Sequence, residues 1–213
     1  MLRERVMIEL ADTPMNWVAT GDSISQAVLH THGARGWVEH LHERVRRQLG
    51  RLADIVVNTG VSGAGAADVL ASHDRLIGRF RPDVLSVSLG TNDCLTAEDG
   101  LPDFLHAMHR IVEKTPSPTQ VVLHTPALVA FSGQERRATL PLYCEAVRDV
   151  AKATGTLLVD HEAYWRDHFA TADPIAWLDD PAHPNAVGHL HMSRHTLRTM
   201  GLGELDSPRL PTP

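Results

Sequence analysis

Short apolar runs alternate with longer amphipathic stretches along most of the chain. The short runs are mostly rich in β-branched residues and end in glycine or polar residues, which is typical of buried strands. They occupy residues 17–20, 54–58, 84–89, 120–124 and 156–159. Helical periodicity predicts helices over roughly 36–49, 66–80, 101–114, 137–153 and 184–200.

Strand followed by helix, repeated five times, predicts an α/β fold in which a five-stranded parallel sheet carries helices on both faces. Right-handed crossovers then give a three-layer α/β/α sandwich. Ligands of such sheets bind beyond the carboxyl ends of the strands. Two irregular segments, at 125–136 and about 169–180, are long enough to cover a site at that edge.

Composition and net charge exclude some classes of protein. The 213 residues are 43% hydrophobic and 22% charged, as expected for a folded globular chain. The formal charge of −6 argues against nucleic-acid binding, so we predict no nucleic-acid partner. The one local basic cluster is typical of a solvated helix face. It consists of Arg44, Arg46, Arg47 and Arg51.

No repeat or linker divides the chain, so we predict one domain over 1–205 and a loose, proline-rich tail over 206–213. Charged residues interrupt the first 16 positions, and no window approaches 18 uncharged apolar residues. We therefore expect no membrane span and a cytoplasmic location. Oligomeric state is left open by the sequence.

The metal-ligating residue types lack the spacing of a metal site. Cys94 and Cys144 belong to no zinc-type spacing, and we predict that both are reduced thiols in the core. His191 and His195 are four residues apart on a predicted helix, but no third ligand accompanies them. The sequence therefore predicts no metal and no organic cofactor.

Chemistry-bearing residues follow the predicted strands. The first strand ends in Thr20-Gly21-Asp22-Ser23, where Gly21 permits a tight turn that exposes Ser23 at the sheet edge. Backbone N–H groups at the start of the next helix favour negative charge there. A Gly-Asp-Ser tripeptide is nevertheless more often a plain turn, so the residues alone leave both interpretations open.

A glycine-rich loop follows the second strand. Gly63-x-Gly65 is reminiscent of a dinucleotide fingerprint, but Asp68 stands at its third position and would repel a pyrophosphate. The loop instead offers N–H groups near the first strand. After the third strand, Asn92 supplies either a neutral amide donor for an oxyanion or an ordinary Asx turn.

Asp180 and His183 lie three residues apart across a turn that contains Pro181. At that spacing the carboxylate reaches the imidazole and fixes its tautomer, whereas Asp179 is expected to project elsewhere. A surface turn with a solvated histidine is the alternative.

These four blocks, in this order, make the chain resemble the SGNH hydrolases, also called the GDSL family of esterases and lipases. The resemblance runs from Gly21 to about Met200 and implies a flavodoxin-like sandwich and carboxylic-ester hydrolysis without a cofactor. It also implies roles for individual residues. Ser23 is the nucleophile, His183 the general base, Asp180 its orienting acid, and Ser23, Gly63 and Asn92 supply the oxyanion hole.

Gly63 is preferred to Gly60 because the family glycine falls five residues after the strand-ending Asn58. Two positions depart from the family pattern: Pro181 stands where glycine is common and Ile24 where leucine is usual. The expected partner is a small acyl ester, with Phe131 and Trp177 as candidate walls of the substrate pocket. An acyltransferase, a thioesterase or lysophospholipase-type hydrolase, and a non-catalytic binding module remain alternatives.

Overall fold

The computed structural model describes residues 7–205, in which five parallel strands form one sheet in the order β2-β1-β3-β4-β5. The strands are β1 (Asn16–Gly21), β2 (Ile55–Asn58), β3 (Val84–Ser88), β4 (Gln120–His124) and β5 (Leu157–Val159). All five were predicted, to within one residue at every end. Helices cover both faces, which confirms the three-layer α/β/α sandwich. The predicted tail at 206–213 lies outside the described residues.

Strand side chains alternate between two hydrophobic cores because successive residues of a strand point to opposite faces. Trp17 and Ala19 enter one core, and Val18 enters the other. The helices are α1 (Ser23–Gln26), α2 (Trp37–His42), α3 (Ala66–Ala71), α4 (His73–Leu76), α5 (Leu101–Lys114), α6 (Leu140–Thr154), α7 (His161–Phe169) and α8 (Ala186–Thr199). Side chains of α3, α5 and α6 pack with Val18, and those of α2, α7 and α8 pack with Trp17.

The β1–β3 register brings the ends of two strands to one edge, because Gly21 pairs with Ser88. The loop after β2 is fastened to β1 by two hydrogen bonds. The Thr59 amide donates to the Ala19 carbonyl at 2.8 Å, and the Val61 amide donates to the Gly21 carbonyl at 2.9 Å. Segments following β1, β2 and β3 therefore meet at the same edge of the sheet.

Two predicted helices differ from the structure. The stretch 66–80 divides into α3, α4 and a single 3₁₀ turn, with breaks at Ser72 and Ile77. Serine favours helix ends, which explains the first break. The stretch 36–49 begins as α2 and continues as π-helix over Glu43–Gln48, where the Leu49 amide donates to the carbonyl of Arg44 five residues earlier.

Helix α7 was not predicted. Asp160 caps the start of α7, because its carboxylate accepts a hydrogen bond from the Ala163 amide, and Trp165 anchors the helix in the core. Its nine residues are mostly polar, so the hydrophobic periodicity is too weak to identify it.

The two cysteines are buried and free, as predicted. Burial raises the pKa of the Cys94 thiol to about 11, so it stays protonated and unreactive at neutral pH. The predicted solvated arginine face is wrong in part, because three of its members bind their own chain. Arg44 donates to the Leu202 carbonyl, Arg46 to the Leu52 carbonyl and Arg51 to the Asp54 carboxylate. Within 7–205, no helix has the length and apolarity to cross a bilayer.

Candidate active site

Ser23 is the first residue of a four-residue helix, α1, directly beyond β1. The Asp22 carboxylate caps this helix by accepting a hydrogen bond from the Ile24 amide at 2.9 Å. Ala27, in the left-handed region at φ 54°, ends it. Local chain geometry therefore holds Ser23 beyond the carboxyl end of β1, an interior strand of the sheet.

Ser23, His183 and Asp180 form a continuous hydrogen-bonded chain. Ser23 Oγ lies 2.9 Å from His183 Nε2. His183 Nδ1 lies 2.8 Å from Asp180 Oδ2 and 2.9 Å from Oδ1. Because a carboxylate only accepts, Nδ1 carries the proton and Nε2 is free to accept from the serine hydroxyl.

A closed turn presents His183 to the serine. The Asp179 amide donates to the His183 carbonyl at 2.8 Å, and Asp180 Oδ1 accepts from the amides of Ala182 and His183, both at 2.8 Å. The carbonyl of Pro181 accepts from the Ala130 amide at 2.8 Å, which fastens the turn to the loop after β4. Pro181 thus fits the turn without separating the carboxylate from the imidazole.

The environment favours the charged form of Asp180. Partial burial raises the pKa of this carboxyl, but the hydrogen bonds from the Ala182 amide, the His183 amide and the His183 ring outweigh burial, and the net pKa is lowered. Asp180 is therefore an anion beside the imidazole at neutral pH.

The two candidate glycines after β2 differ in their surroundings. The Gly60 amide already donates to Asn58 Oδ1 at 3.0 Å, and a Cβ at Gly60 would lie 2.6 Å from the Gln26 nitrogen. Gly63 has a φ of +80°, and a Cβ there would meet no atom within 4 Å. No hydrogen bond within residues 7–205 engages the amide of Gly63 or that of Ser23. Both N–H groups are available to an external acceptor.

Asn92 lies in the segment that follows β3, and its Nδ2 donates one hydrogen to the Ala64 carbonyl at 3.1 Å. The neighbouring Asp93 carboxylate accepts from the Ala66 amide at 2.7 Å and the Gly90 amide at 3.0 Å. These bonds join the glycine loop to the end of β3. The second Asn92 amide hydrogen is left for another acceptor at this edge.

Cavities adjoin the turn and the loop after β4. One of about 310 Å³ is lined by Arg136, Arg137 and Pro181 together with Asp180 and His183. A larger one of about 570 Å³ has Phe131 and Arg137 in its wall.

The two candidate pocket aromatics lie in different surroundings. Phe131 is 52% exposed, whereas Trp177 is only 5% exposed and packs against the rings of Trp165 and Phe169 in the core. Core packing accounts for Trp177, and we assign it no substrate contact.

His30 and Asp179 were not identified from the sequence as neighbours of the site. The His30 ring stacks on the His183 ring, with centroids 3.8 Å apart and planes at 11°. Asp179 projects away from His183, as expected, and bonds to His30 and His32. These hydrogen bonds, first that from His32 and then that from His30, lower the pKa of Asp179. A His-x-His pair in a loop closely following Ser23 is the only sequence signal.

The ligand atoms of His30, Asp180 and His183 come within 4.8 Å of one another, a separation short enough for a shared cation. Zinc, however, sits about 2.0–2.1 Å from each imidazole nitrogen along its in-plane lone pair. The two rings are nearly parallel, so their lone pairs do not converge on one point. The geometry fits ring stacking better than metal ligation, and the absence of a metal cofactor stays a prediction.

Asp22 is a buried carboxyl, 2% exposed, under the nucleophile turn. Burial raises the pKa of Asp22 to about 7, the Ile24 amide opposes this increase, and the nearby Asp93 adds to it. Burial also raises the pKa of Asp93. The edge of the sheet therefore holds two carboxyls whose charged forms are disfavoured.

The family match and the similar proteins all point to hydrolases of one type. Residues 19–190 match the GDSL-like lipase/acylhydrolase family. An acetylxylan esterase from Geobacillus stearothermophilus is 30% identical over 159 residues, covering 68% of this chain and 72% of that protein. A crystal structure of an acetylxylan esterase from that organism has a TM-score of 0.77 and 25% identity, covering 92% of this chain and 97% of the other.

An alpha/beta hydrolase enzyme from the metagenome of Lake Arreo, Spain, also has a TM-score of 0.77, at 24% identity over 91% of this chain and 97% of its own. Further structures of the Geobacillus stearothermophilus esterase are of catalytic mutants, in which a serine, an aspartate or a histidine is changed to alanine. The fold is thus shared with known esterases.

Asp22→Asn should stabilise the protein increasingly as pH rises. Burial raises the pKa of Asp22 to about 7 from its ordinary value of 3.8, so between these two values the native state binds more protons than the unfolded state and stability falls as pH rises. Asparagine can still accept from Ile24 without titrating. We expect a Tm gain of about 2–4 °C or more at pH 8, equivalent to about 1 kcal/mol, shrinking toward pH 4. Thermal denaturation from pH 4 to 9 tests this; a gain independent of pH would contradict it.

Proposed function

The chain belongs to the GDSL-like lipase/acylhydrolase family and is a carboxylic ester hydrolase, and we propose that it cleaves short acyl esters through an acyl-enzyme on Ser23. The observation that carries this proposal is the hydrogen-bonded chain from Ser23 Oγ through His183 to Asp180, with 2.9 Å between Oγ and Nε2. The serine, aspartate and histidine of the related esterase's catalytic mutants support the same assignment.

In the first half-reaction, the Ser23 hydroxyl gives its proton to His183 Nε2 as Oγ bonds to the ester carbon. The carbonyl π pair moves to oxygen. The resulting tetrahedral intermediate collapses when the carbon–alkoxy bond breaks and the alcohol leaves with the proton from Nε2. Asp180 keeps the imidazole in the required tautomer and stabilises its charged form. Water then repeats the sequence on the acyl-enzyme and releases the acid.

Three donors are proposed to bind the oxyanion: the amides of Ser23 and Gly63 and the side chain of Asn92. Within residues 7–205, neither backbone amide has a hydrogen-bond partner, and Asn92 Nδ2 uses one of its two hydrogens, in the bond to the Ala64 carbonyl. Gly60 is excluded from this role because its amide is used by Asn58. Donors fixed in advance stabilise the transition state without reorganisation.

The substrate is proposed to join a short acyl group to a polar alcohol. The cavity beside His183 has a volume of about 310 Å³ and two arginines, Arg136 and Arg137, in its wall. Guanidinium groups donate hydrogen bonds to hydroxyl and carbonyl oxygens, whereas a long alkyl chain would desolvate them without compensation. The similarity to an acetylxylan esterase is consistent with an acetyl ester of a hydroxylated molecule.

Ser23→Ala should lower kcat on p-nitrophenyl acetate by about 10³-fold or more, because the acyl-enzyme cannot form. Steady-state assays measure kcat, and labelling with a fluorophosphonate followed by mass spectrometry detects a reactive serine. The matched control is Ser25→Ala in the same short helix, whose buried hydroxyl has no hydrogen-bond partner. Labelling of the Ser23→Ala protein, or retention of more than a few per cent of the rate, would exclude Ser23 as the nucleophile.

Asn92→Ala should reduce kcat by about 100-fold or more while KM stays within about twofold, because the donor acts chiefly on the oxyanion. Asn92→Asp keeps the side-chain size but replaces the donor with an acceptor, so it should be at least as impaired. Steady-state kinetics on p-nitrophenyl acetate separates the two constants. A change confined to KM would make Asn92 a ground-state substrate contact instead.

The acyl preference should fall with chain length. From p-nitrophenyl acetate to the octanoate, kcat/KM is expected to drop by at least about tenfold, since the cavity wall offers polar groups rather than an apolar channel. With the acetyl group held constant, a peracetylated xyloside should be a better substrate than ethyl acetate. A rate that increases toward the octanoate would contradict this substrate class.

A further inference from the structure

A second histidine–aspartate pair lies beside His183. The His30 ring lies parallel to the His183 ring with centroids 3.8 Å apart, and His30 Nδ1 is 2.9 Å from Asp179 Oδ2. The other oxygen of Asp179 lies 2.7 Å from His32 Nε2. The residue next to the triad carboxylate therefore holds the ring that packs on the triad imidazole.

Hydrogen bonds restrain one motion of His183 only weakly. The ring turns about its Cβ–Cγ bond, and its bonds to Asp180 and Ser23 act at Nδ1 and Nε2. A small rotation of this kind bends both hydrogen bonds without breaking them, because hydrogen bonds tolerate moderate departures from linearity. A flat ring in van der Waals contact with one face of the imidazole opposes this rotation.

The other surroundings of His183 do not enclose its side chain completely. His183 lies in a turn between regular elements, 22% of its side chain is exposed, and it borders the cavity of about 310 Å³. His30 is comparably covered, with 20% of its side chain exposed. The stack also suits the charge that His183 gains during the reaction, because an aromatic face attracts a cation.

We propose that His30 is a positioning residue that holds the His183 ring in the plane shared with Ser23 and Asp180, and that Asp179 anchors His30. This inference rests on the proposed catalytic role of His183. The Asp179 carboxylate bonds to His30 and His32, and of these two rings only His30 stacks on His183, so the Asp179 side chain is proposed to act through His30. A substitution that keeps a flat ring at position 30 should therefore preserve the function of His30, whereas a substitution that removes the ring should abolish it.

His30→Ala should lower kcat on p-nitrophenyl acetate by about tenfold or more with KM within about twofold, because a misaligned base costs rate rather than substrate binding. His30→Phe retains a flat ring and should recover kcat to within about threefold of wild type. Rates are expressed per site titrated with fluorophosphonate, and Tm is measured for each variant, so that misfolded protein does not enter the comparison.

A double-mutant cycle tests the anchor. Asp179→Ala should lower kcat in the wild-type background but have no further effect in the His30→Ala background, since residues acting through one another are not additive. His32→Ala is the matched control: His32 also bonds to Asp179 but is 72% exposed, and we expect wild-type kcat within about twofold.

The outcomes separate this inference from the proposed function. If Ser23→Ala is inactive while His30→Ala has wild-type kcat, His30 has no positioning role and the acyl-enzyme mechanism stands. Equal losses in His30→Phe and His30→Ala would overturn the stacking argument, and additive effects of His30→Ala and Asp179→Ala would overturn the anchor. If Ser23→Ala keeps its activity, both the proposed function and this inference fail.

Discussion

The parallel pairing of β1 with β3 is the constraint on which the site depends. Because Gly21 lies opposite Ser88, the segments that leave these strands begin at one edge, and Ser23 and Asn92 meet there although they are distant in sequence. His183 reaches the same edge by another route. Its turn is fastened to the loop after β4 by the hydrogen bond from Ala130 to Pro181. The sheet thus supplies the serine and the amide donors, and a loop contact supplies the base.

Organising the edge in this way has an electrostatic cost. Asp22 caps the nucleophile helix from a position that is almost fully buried, and Asp93 joins the glycine loop to β3 from a half-buried position. Each carboxyl accepts backbone amides, which lowers its pKa, but burial outweighs those bonds in both. Short polar side chains are nonetheless what such tight turns need, because they satisfy amides that the strand ends leave unpaired. The carboxyls that complete these turns are therefore the same groups whose charged forms are disfavoured by burial.

The sequence predicts most of the fold because helices cover both faces of the sheet and turn residues bound its strands, so strands stand out as short apolar runs. It fails where burial is one-sided or irregular, as in α7, whose polar sequence is held by Trp165, and in the divided stretch after Ala66. The triad candidates were identifiable because their motifs are local in sequence. His30 was not, because its contact with His183 joins two loops that no local pattern relates.

Adjacent carboxylates have different surroundings because neighbouring side chains of a tight turn project in different directions. Asp180 faces the amides of its own turn and the His183 ring, whereas Asp179 faces the loop that follows α1. That loop begins at Ala27, immediately after the helix that carries Ser23. The contacts consequently form a closed circuit from Ser23 along the chain to His30, across the ring stack to His183, and back through the 2.9 Å hydrogen bond to Ser23. The loop that follows α1 therefore contacts the imidazole while its first residue directly follows the helix that carries Ser23, which is the geometric basis for assigning it a positioning role.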